Sequence, residues 1–172
     1  MAALLVFLVS ALVISFICSL LEATLMSTPM SYITLMEGNG SKAAILFKSY
    51  KKDSSRALAS ILSLNTIANT IGAAGVGQQT SIVFGSQWFG LVSAITTLLI
   101  LIFSEIVPKT IGTSYWKKLM AFTAYTIRVL IIILFPIVTA IEYLQKLISS
   151  KSSDTSISRE EVGAMADVAE ES

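Results

Sequence analysis

Residues 2–26 read AALLVFLVSALVISFICSLLEATLM, an apolar run whose single charged residue is Glu22. A helix needs about 20 such residues to cross the hydrocarbon core of a bilayer, so the run is long enough to span it. A cleaved signal peptide would begin with a basic region, but no Lys or Arg precedes the run. The stretch therefore predicts a true membrane-spanning helix that closes at Pro29.

The composition of the whole chain agrees with a membrane domain. Of its 172 residues 54% are hydrophobic and only 13% are charged, whereas soluble domains carry roughly 25% charged residues. Histidine is absent, which excludes imidazole catalysis and His-ligated zinc or copper sites. The single cysteine, Cys18, cannot form an internal disulfide and is typical of a small packing residue.

Two further spans are predicted at residues 56–74 and 88–108, joined by a short uncharged loop at residues 75–87. The polar segment 31–55 precedes the second span, with a turn at Gly38-Asn39-Gly40. It includes four of the five basic residues that lie between the first two spans, and the loop at 75–87 has none. Cytoplasmic loops are enriched in Lys and Arg, so we expect the segment between the first two spans to be cytoplasmic. The amino terminus, on the other side of the first span, is then outside. Those five residues are Lys42, Lys48, Lys51, Lys52 and Arg56.

The fourth apolar stretch, residues 121–144, is ambiguous. Arg128 lies early in it and Pro136 splits it in two. A full span would place Lys146 and the basic residues after it outside. A Pro-split juxtamembrane pair of helices, interfacial or re-entrant, fits better and keeps the carboxyl terminus cytoplasmic. A fourth span remains the alternative.

The chain divides into a transmembrane domain at residues 1–148 and a tail at 149–172. The tail is predicted to be a linker followed by an acidic cytosolic helix, because Ser158 and Glu161 have the spacing of a capping box. The chain stops at Ser172, before that helix would have a partner. We therefore expect downstream cytosolic domains to have been removed.

Each predicted span carries a stripe of polar residues. Polar side chains inside a membrane are costly and usually face a protein interior or a pathway. In the first two spans their spacing of i, i+4, i+7 places them on one helical face. The stripes are Ser15, Ser19 and Glu22; Asn65, Asn69 and Gly72; and Thr97, Ser104 and Glu105.

Pro108 has a mechanical consequence for the third stripe. Its missing N–H would have bonded the carbonyl of Ser104, so we expect a helix kink that frees this carbonyl beside Glu105. With hydroxyl and amide oxygens from the other spans, this makes an all-oxygen set suited to hard cations such as Mg²⁺, Ca²⁺ or Na⁺. The candidate ligands are Glu105, Asn69, Ser19, Ser15 and Ser104.

Structural explanations compete with this interpretation. Intramembrane serines often bond their own helix, and Asn65 could serve only to join two helices. Gly72 could be a plain helix contact. Glu22 could simply reach Lys42 or Arg56. Glu105 could pair with Lys109 at i+4 instead of binding a metal ion.

Ser104-Glu105-Ile106-Val107-Pro108-Lys109 resembles the transmembrane domain of the CNNM/CorC family of magnesium transporters. Residues 19–26 resemble the first-helix signature of this family, and residues 62–69 resemble its second-helix signature of two Asn four apart. Bacterial members usually have Ser where this chain has Leu21, so no hydroxyl ligand is assigned there.

The resemblance implies an all-α integral membrane fold of three transmembrane helices with juxtamembrane helices, a homodimer, and Mg²⁺ export in exchange for Na⁺. By the same resemblance Ser15, Ser19, Asn69 and Glu105 hold the ion, with Ser104 contributing by its backbone. Members commonly continue into nucleotide-binding cytosolic domains, which this chain lacks.

The expected function is Na⁺-coupled Mg²⁺ efflux across the plasma membrane by alternating access. A membrane-embedded Mg²⁺ sensor, or a regulatory subunit of another transporter, is the alternative. An enzyme is not expected, because the sequence offers no nucleophile arrangement and no paired catalytic carboxylates on one face. No nucleic-acid partner is expected either.

Overall fold

The structure, a computed structural model, describes the backbone of residues 1–149 and the side chains of residues 1–143. Every regular element in these ranges is a helix. The chain divides into two units, Met1–Val138 and Thr139–Ser172. The capping box and most of the tail predicted at residues 149–172 lie outside the described residues.

The first two long helices are α1 (Ala2–Ser27) and, after two short helices, α4 (Ser55–Phe84). They pack along much of their length. Helix α1 ends at Ser27, and the hydroxyl of the next residue, Thr28, donates to the Thr24 carbonyl at 2.7 Å. The predicted loop at residues 75–87 is wrong over 75–84, where α4 continues. Gly75 there packs against the ring of Phe7, and this contact outweighs the low helix propensity of glycine.

Between α1 and α4 the chain forms α2 (Met30–Gly38) and α3 (Lys42–Lys52). The predicted turn is confirmed, and Gly40 has a φ of +79° that favours glycine. The Ser41 hydroxyl then caps α3 by accepting from the Ala44 N–H at 3.3 Å. These helices were not located from the sequence. They form because Ile33 and Phe47 are fully buried in the core.

The third long helical segment contains a change of helix type. A 3₁₀ turn (Ser86–Trp88) leads into α5 (Phe89–Leu99), a π-helical stretch (Ile100–Ile106) and α6 (Val107–Ser114). The predicted end at Pro108 is wrong, because α6 continues to Ser114. Pro108 lies in the first turn of α6, directly after the π-helical stretch, and has no N–H to donate to the Ser104 carbonyl.

The last two helices described are α7 (Trp116–Ile133) and α8 (Phe135–Ser149). The helix is interrupted at Leu134, two residues before Pro136, at which the sequence predicted the split. Within the described residues, three helices are long and apolar enough to cross a membrane, or four if the bent pair formed by α7 and the start of α8 counts as one span. The interfacial placement of this pair and the orientation of the termini stay predictions.

Candidate metal site

A chain of hydrogen bonds joins three of the long helical segments through the predicted polar residues. The Ser15 hydroxyl of α1 donates to the Oδ1 atom of Asn65 in α4. The Asn65 Nδ2 atom in turn donates to the Oε1 atom of Glu105 in the π-helical stretch, at 3.2 Å. Ser15 is fully buried and the other two are half-buried. The structure therefore brings one residue of each predicted stripe together.

The other oxygen of Glu105 faces a lysine. The Lys109 Nζ atom lies 3.3 Å from Glu105 Oε2 and 3.5 Å from the Oε2 atom of Glu22 in α1. The i+4 pairing considered from the sequence is thus present. The sequence suggested Lys42 or Arg56 as partners of Glu22, and the structure places Lys109 beside it. Two carboxylates from different helices share one ammonium group.

Two oxygens next to this network are buried without a hydrogen-bond partner among the described residues. They are the Ser19 Oγ atom and the Asn69 Oδ1 atom. Ser19 lies one helical turn from Ser15, and Asn69 lies one turn from Asn65. An unsatisfied buried oxygen costs about 1–3 kcal/mol, and coordination to a cation would remove that cost. Both residues are among the candidate ligands predicted from the sequence.

The π-helical stretch changes the hydrogen bonding around Ser104. The Val107 N–H bonds the Ile102 carbonyl, five residues back, instead of the Phe103 carbonyl four residues back. Pro108 has no N–H to offer Ser104. The Phe103 and Ser104 carbonyls therefore both lose their regular α-helical donor. The buried Ser104 hydroxyl itself is engaged, and it donates to the Leu12 carbonyl of α1 at 3.3 Å.

Glycines let the helices approach closely on both sides of the network. A Cβ atom on Gly72 of α4 would overlap the Cβ atom of Ala11, and one on Gly112 of α6 would lie 2.9 Å from the Leu20 carbonyl oxygen. Gly72 is thus a close helix contact, as the structural alternative for this residue supposed. These contacts hold α4 and α6 against α1 on either side of the polar residues.

The donor set is mostly neutral oxygen. The described residues contain no cluster of three or more His, Cys, Asp and Glu side chains that could hold a metal ion. What they offer is Glu105, nearby Glu22, and hydroxyl, amide and carbonyl oxygens. Hard cations such as Mg²⁺ are held by one or two carboxylates with neutral oxygens and water, so the residues present fit such an ion.

Comparison with known proteins shows the family of this chain. A model of the family described as Cyclin M transmembrane N-terminal domain (CNNM) matches residues 4–172. The chain belongs to the CNNM family. It is also similar to the UPF0053 protein sll1254 of Synechocystis sp., with 33% identity over 128 residues, which cover 74% of this chain and 37% of that protein.

The chain is therefore a CNNM membrane domain. The resemblance found at residues 104–109 is confirmed. The aligned part spans little more than a third of the curated relative.

Sequence reasoning undervalued two parts of this site. The sequence predicts Asn69 and not Asn65 as a ligand, yet Asn65 makes the contact to Glu105. The link from Lys109 to Glu22 was not foreseen, although both residues lie near the same ends of their predicted spans. The π-helical stretch has no signal in the sequence beyond Pro108. Its wider turn could be found only from coordinates.

Proposed function

We propose that this CNNM membrane domain transports Mg²⁺ through the site around Glu105, coupling its efflux to Na⁺ entry. The carboxylate supplies the charge that offsets dehydration of the ion, and Ser15, Ser19 and Asn69 supply neutral oxygens. Ser104 contributes a backbone carbonyl. Asn65 orients the carboxylate, as the residues behind a metal ligand commonly do.

The observation that carries the proposal is the pair of buried oxygens without partners, Ser19 Oγ and Asn69 Oδ1. Residues that served only to join helices would be expected to bond each other, as Ser15 and Asn65 do. They lie one helical turn from Ser15 and Asn65, which a chain of hydrogen bonds joins to the Glu105 carboxylate, and this position supports an ion site.

The proposed cycle is alternating access. The π-helical stretch gives the third span a place to rearrange, since its hydrogen bonds can revert to the α-helical pattern by shifting one residue. The site would load from the cytoplasmic side, release outside the cell, and reset with Na⁺. A plasma-membrane homodimer is part of the same proposal.

Calorimetric titration of Mg²⁺, Ca²⁺ and Na⁺ into the purified chain tests the binding site. We expect Glu105→Gln, which keeps the shape and removes the charge, to weaken Mg²⁺ binding at least about tenfold. Glu37→Gln is the matched control, because Glu37 also pairs with a lysine, Lys48, away from this site. Equal Mg²⁺ binding by wild type and Glu105→Gln would refute the proposal.

A membrane-embedded Mg²⁺ sensor or regulatory subunit is the second candidate. It would use the same site and predicts ion binding without flux. The aligned residues cover only 37% of the curated relative, so the length of this chain favours neither candidate. Mg²⁺ movement across liposomes that contain only this protein separates the two. Flux supports the transporter, and binding without flux supports the sensor.

A further inference from the structure

The Lys109 ammonium lies where a cation would be expected at this site. It is 3.3 Å from Glu105 and 3.5 Å from Glu22, and so it faces carboxylates on two different helices. The Glu105 oxygens are divided between two partners, since Oε1 accepts from Asn65 and Oε2 faces Lys109. An ion that binds at Oε2 therefore competes with the Lys109 ammonium, whereas the bond from Asn65 to Oε1 can remain, since each carboxylate oxygen has two lone pairs.

Lys109 is also the member of this cluster with the most freedom to move. Its side chain is 44% exposed, against 28% for Glu105 and 26% for Glu22. A lysine ammonium is a compact, strongly hydrated charge on a flexible four-carbon stem. Moving away from the carboxylates therefore costs Lys109 less free energy than the same movement would cost a buried arginine.

We infer that Lys109 is a tethered competitor for the transported ion. Its ammonium neutralises Glu105 while the site is empty, and it moves away from that carboxylate when a metal ion binds. The inference rests on the proposed function of the Glu105 site and adds a residue that sets its affinity and its preference for ion charge.

The charge of an ion determines how strongly Lys109 opposes its binding. Coulomb energy scales with the product of the charges, so the Lys109 ammonium repels a divalent ion about twice as strongly as a monovalent ion at the same position. Its removal should therefore favour Mg²⁺ over Na⁺. In fold-change terms, the gain in Mg²⁺ affinity should be about the square of the gain in Na⁺ affinity.

Titration of Mg²⁺ and of Na⁺ into Lys109→Met tests this inference. We expect Mg²⁺ affinity to rise at least about fivefold, the lower end of typical coupling between two ligands, with a smaller rise for Na⁺. Lys109→Arg keeps the charge and should stay within about twofold of wild type. Lys117→Met removes a lysine that contacts the Trp116 ring instead of a carboxylate in this cluster, and should change neither affinity.

Lys109→Gln is a second neutral variant and carries the test if Lys109→Met does not fold. The competitor role is wrong if the neutral Lys109 variants bind Mg²⁺ no better than wild type. The proposed function still stands in that case, provided that wild type binds Mg²⁺ and Glu105→Gln does not. Equal rises for Mg²⁺ and Na⁺ would also overturn the competitor role. If wild type and Glu105→Gln titrate alike, the proposed function itself fails.

Discussion

The side-chain amide of Asn65 donates to Glu105 Oε1 at 3.2 Å and fixes that carboxylate from a neighbouring helix. The same Asn65 accepts from Ser15 through its oxygen, so its orientation is set from both sides. Asn65 thus connects a residue of α1 to the only acidic side chain of the third predicted span.

Asn65→Ala should weaken Mg²⁺ binding about tenfold, because residues that orient a metal ligand typically contribute 10–100-fold to affinity. The substitution also leaves the buried Ser15 hydroxyl without its acceptor. Isothermal titration of the purified variant measures the effect. Asn39→Ala, at the turn after α2, is the control and should bind like wild type. Unchanged affinity in Asn65→Ala would show that this contact only joins helices.

Gly112→Ala should destabilise the fold by about 1–3 kcal/mol, the usual cost of overpacking. The added Cβ atom would lie 2.9 Å from the Leu20 carbonyl oxygen and 3.2 Å from the Thr24 nitrogen, and these backbone atoms cannot move aside alone. Thermal unfolding in detergent measures the loss. Gly90→Ala, where a Cβ meets nothing within 4 Å, should unfold no earlier than wild type. Equal unfolding of the two variants would contradict the close contact of α6 with α1.

Lys51→Met should destabilise the end of α1. The Lys51 Nζ atom donates to the Leu25 carbonyl at 2.9 Å and to the Met26 carbonyl at 2.7 Å. A hydrogen bond typically contributes about 0.5–1.5 kcal/mol net, and Met cannot donate to either carbonyl. Thermal unfolding should show an earlier midpoint for Lys51→Met than for the neighbouring Lys52→Met. A midpoint unchanged from wild type would mean that this cap is not formed.

Lys51 also gives a pH dependence. Burial lowers the pKa of its ammonium below the ordinary 10.5. Between the lowered pKa and 10.5 the unfolded chain binds more protons at Lys51 than the folded chain, so this group makes stability rise with pH. In that window the free energy of unfolding should rise more steeply in wild type than in Lys51→Met. Parallel curves would contradict the lowered pKa.

The aromatic contact between α2 and α7 should contribute about 0.5–1.5 kcal/mol. The rings of Tyr32 and Trp116 meet edge to face, with centroids 5.0 Å apart and an interplanar angle of 87°. A double-mutant cycle with Tyr32→Ala and Trp116→Ala measures the coupling free energy from thermal unfolding. The same cycle with Trp88→Ala should give none. No coupling in the first cycle would mean that α2 is not held by this contact.

Much of the fold followed from hydrophobic runs. The run at residues 2–26 predicted α1 almost to its observed end at Ser27, and the glycines at 38–40 predicted the turn. Residues 75–84 were misassigned because Gly75 packs against Phe7, a residue far away in sequence. The short helices α2 and α3 depend on buried Ile33 and Phe47, and the polar composition around them conceals that burial.

The candidate site was predictable in its members but not in its connections. Helical spacing placed Ser15 with Ser19 and Asn65 with Asn69. Which of each pair would face Glu105 depends on the rotation of the helices about their axes, which spacing does not determine. The π-helical stretch shifts that rotation for every residue after Leu99. The contact of Lys109 with Glu22 depends on how two helices pack, so the sequence alone did not predict it.

Mg²⁺ flux across liposomes that contain only this chain tests the central claim most directly. Protein reconstituted in vesicles loaded with a Mg²⁺-sensitive dye should move the ion down its gradient, and an opposing Na⁺ gradient should accelerate the movement. Glu105→Gln should abolish the flux, and Glu37→Gln should retain it. Flux through Glu105→Gln at the wild-type rate would contradict transport through this carboxylate.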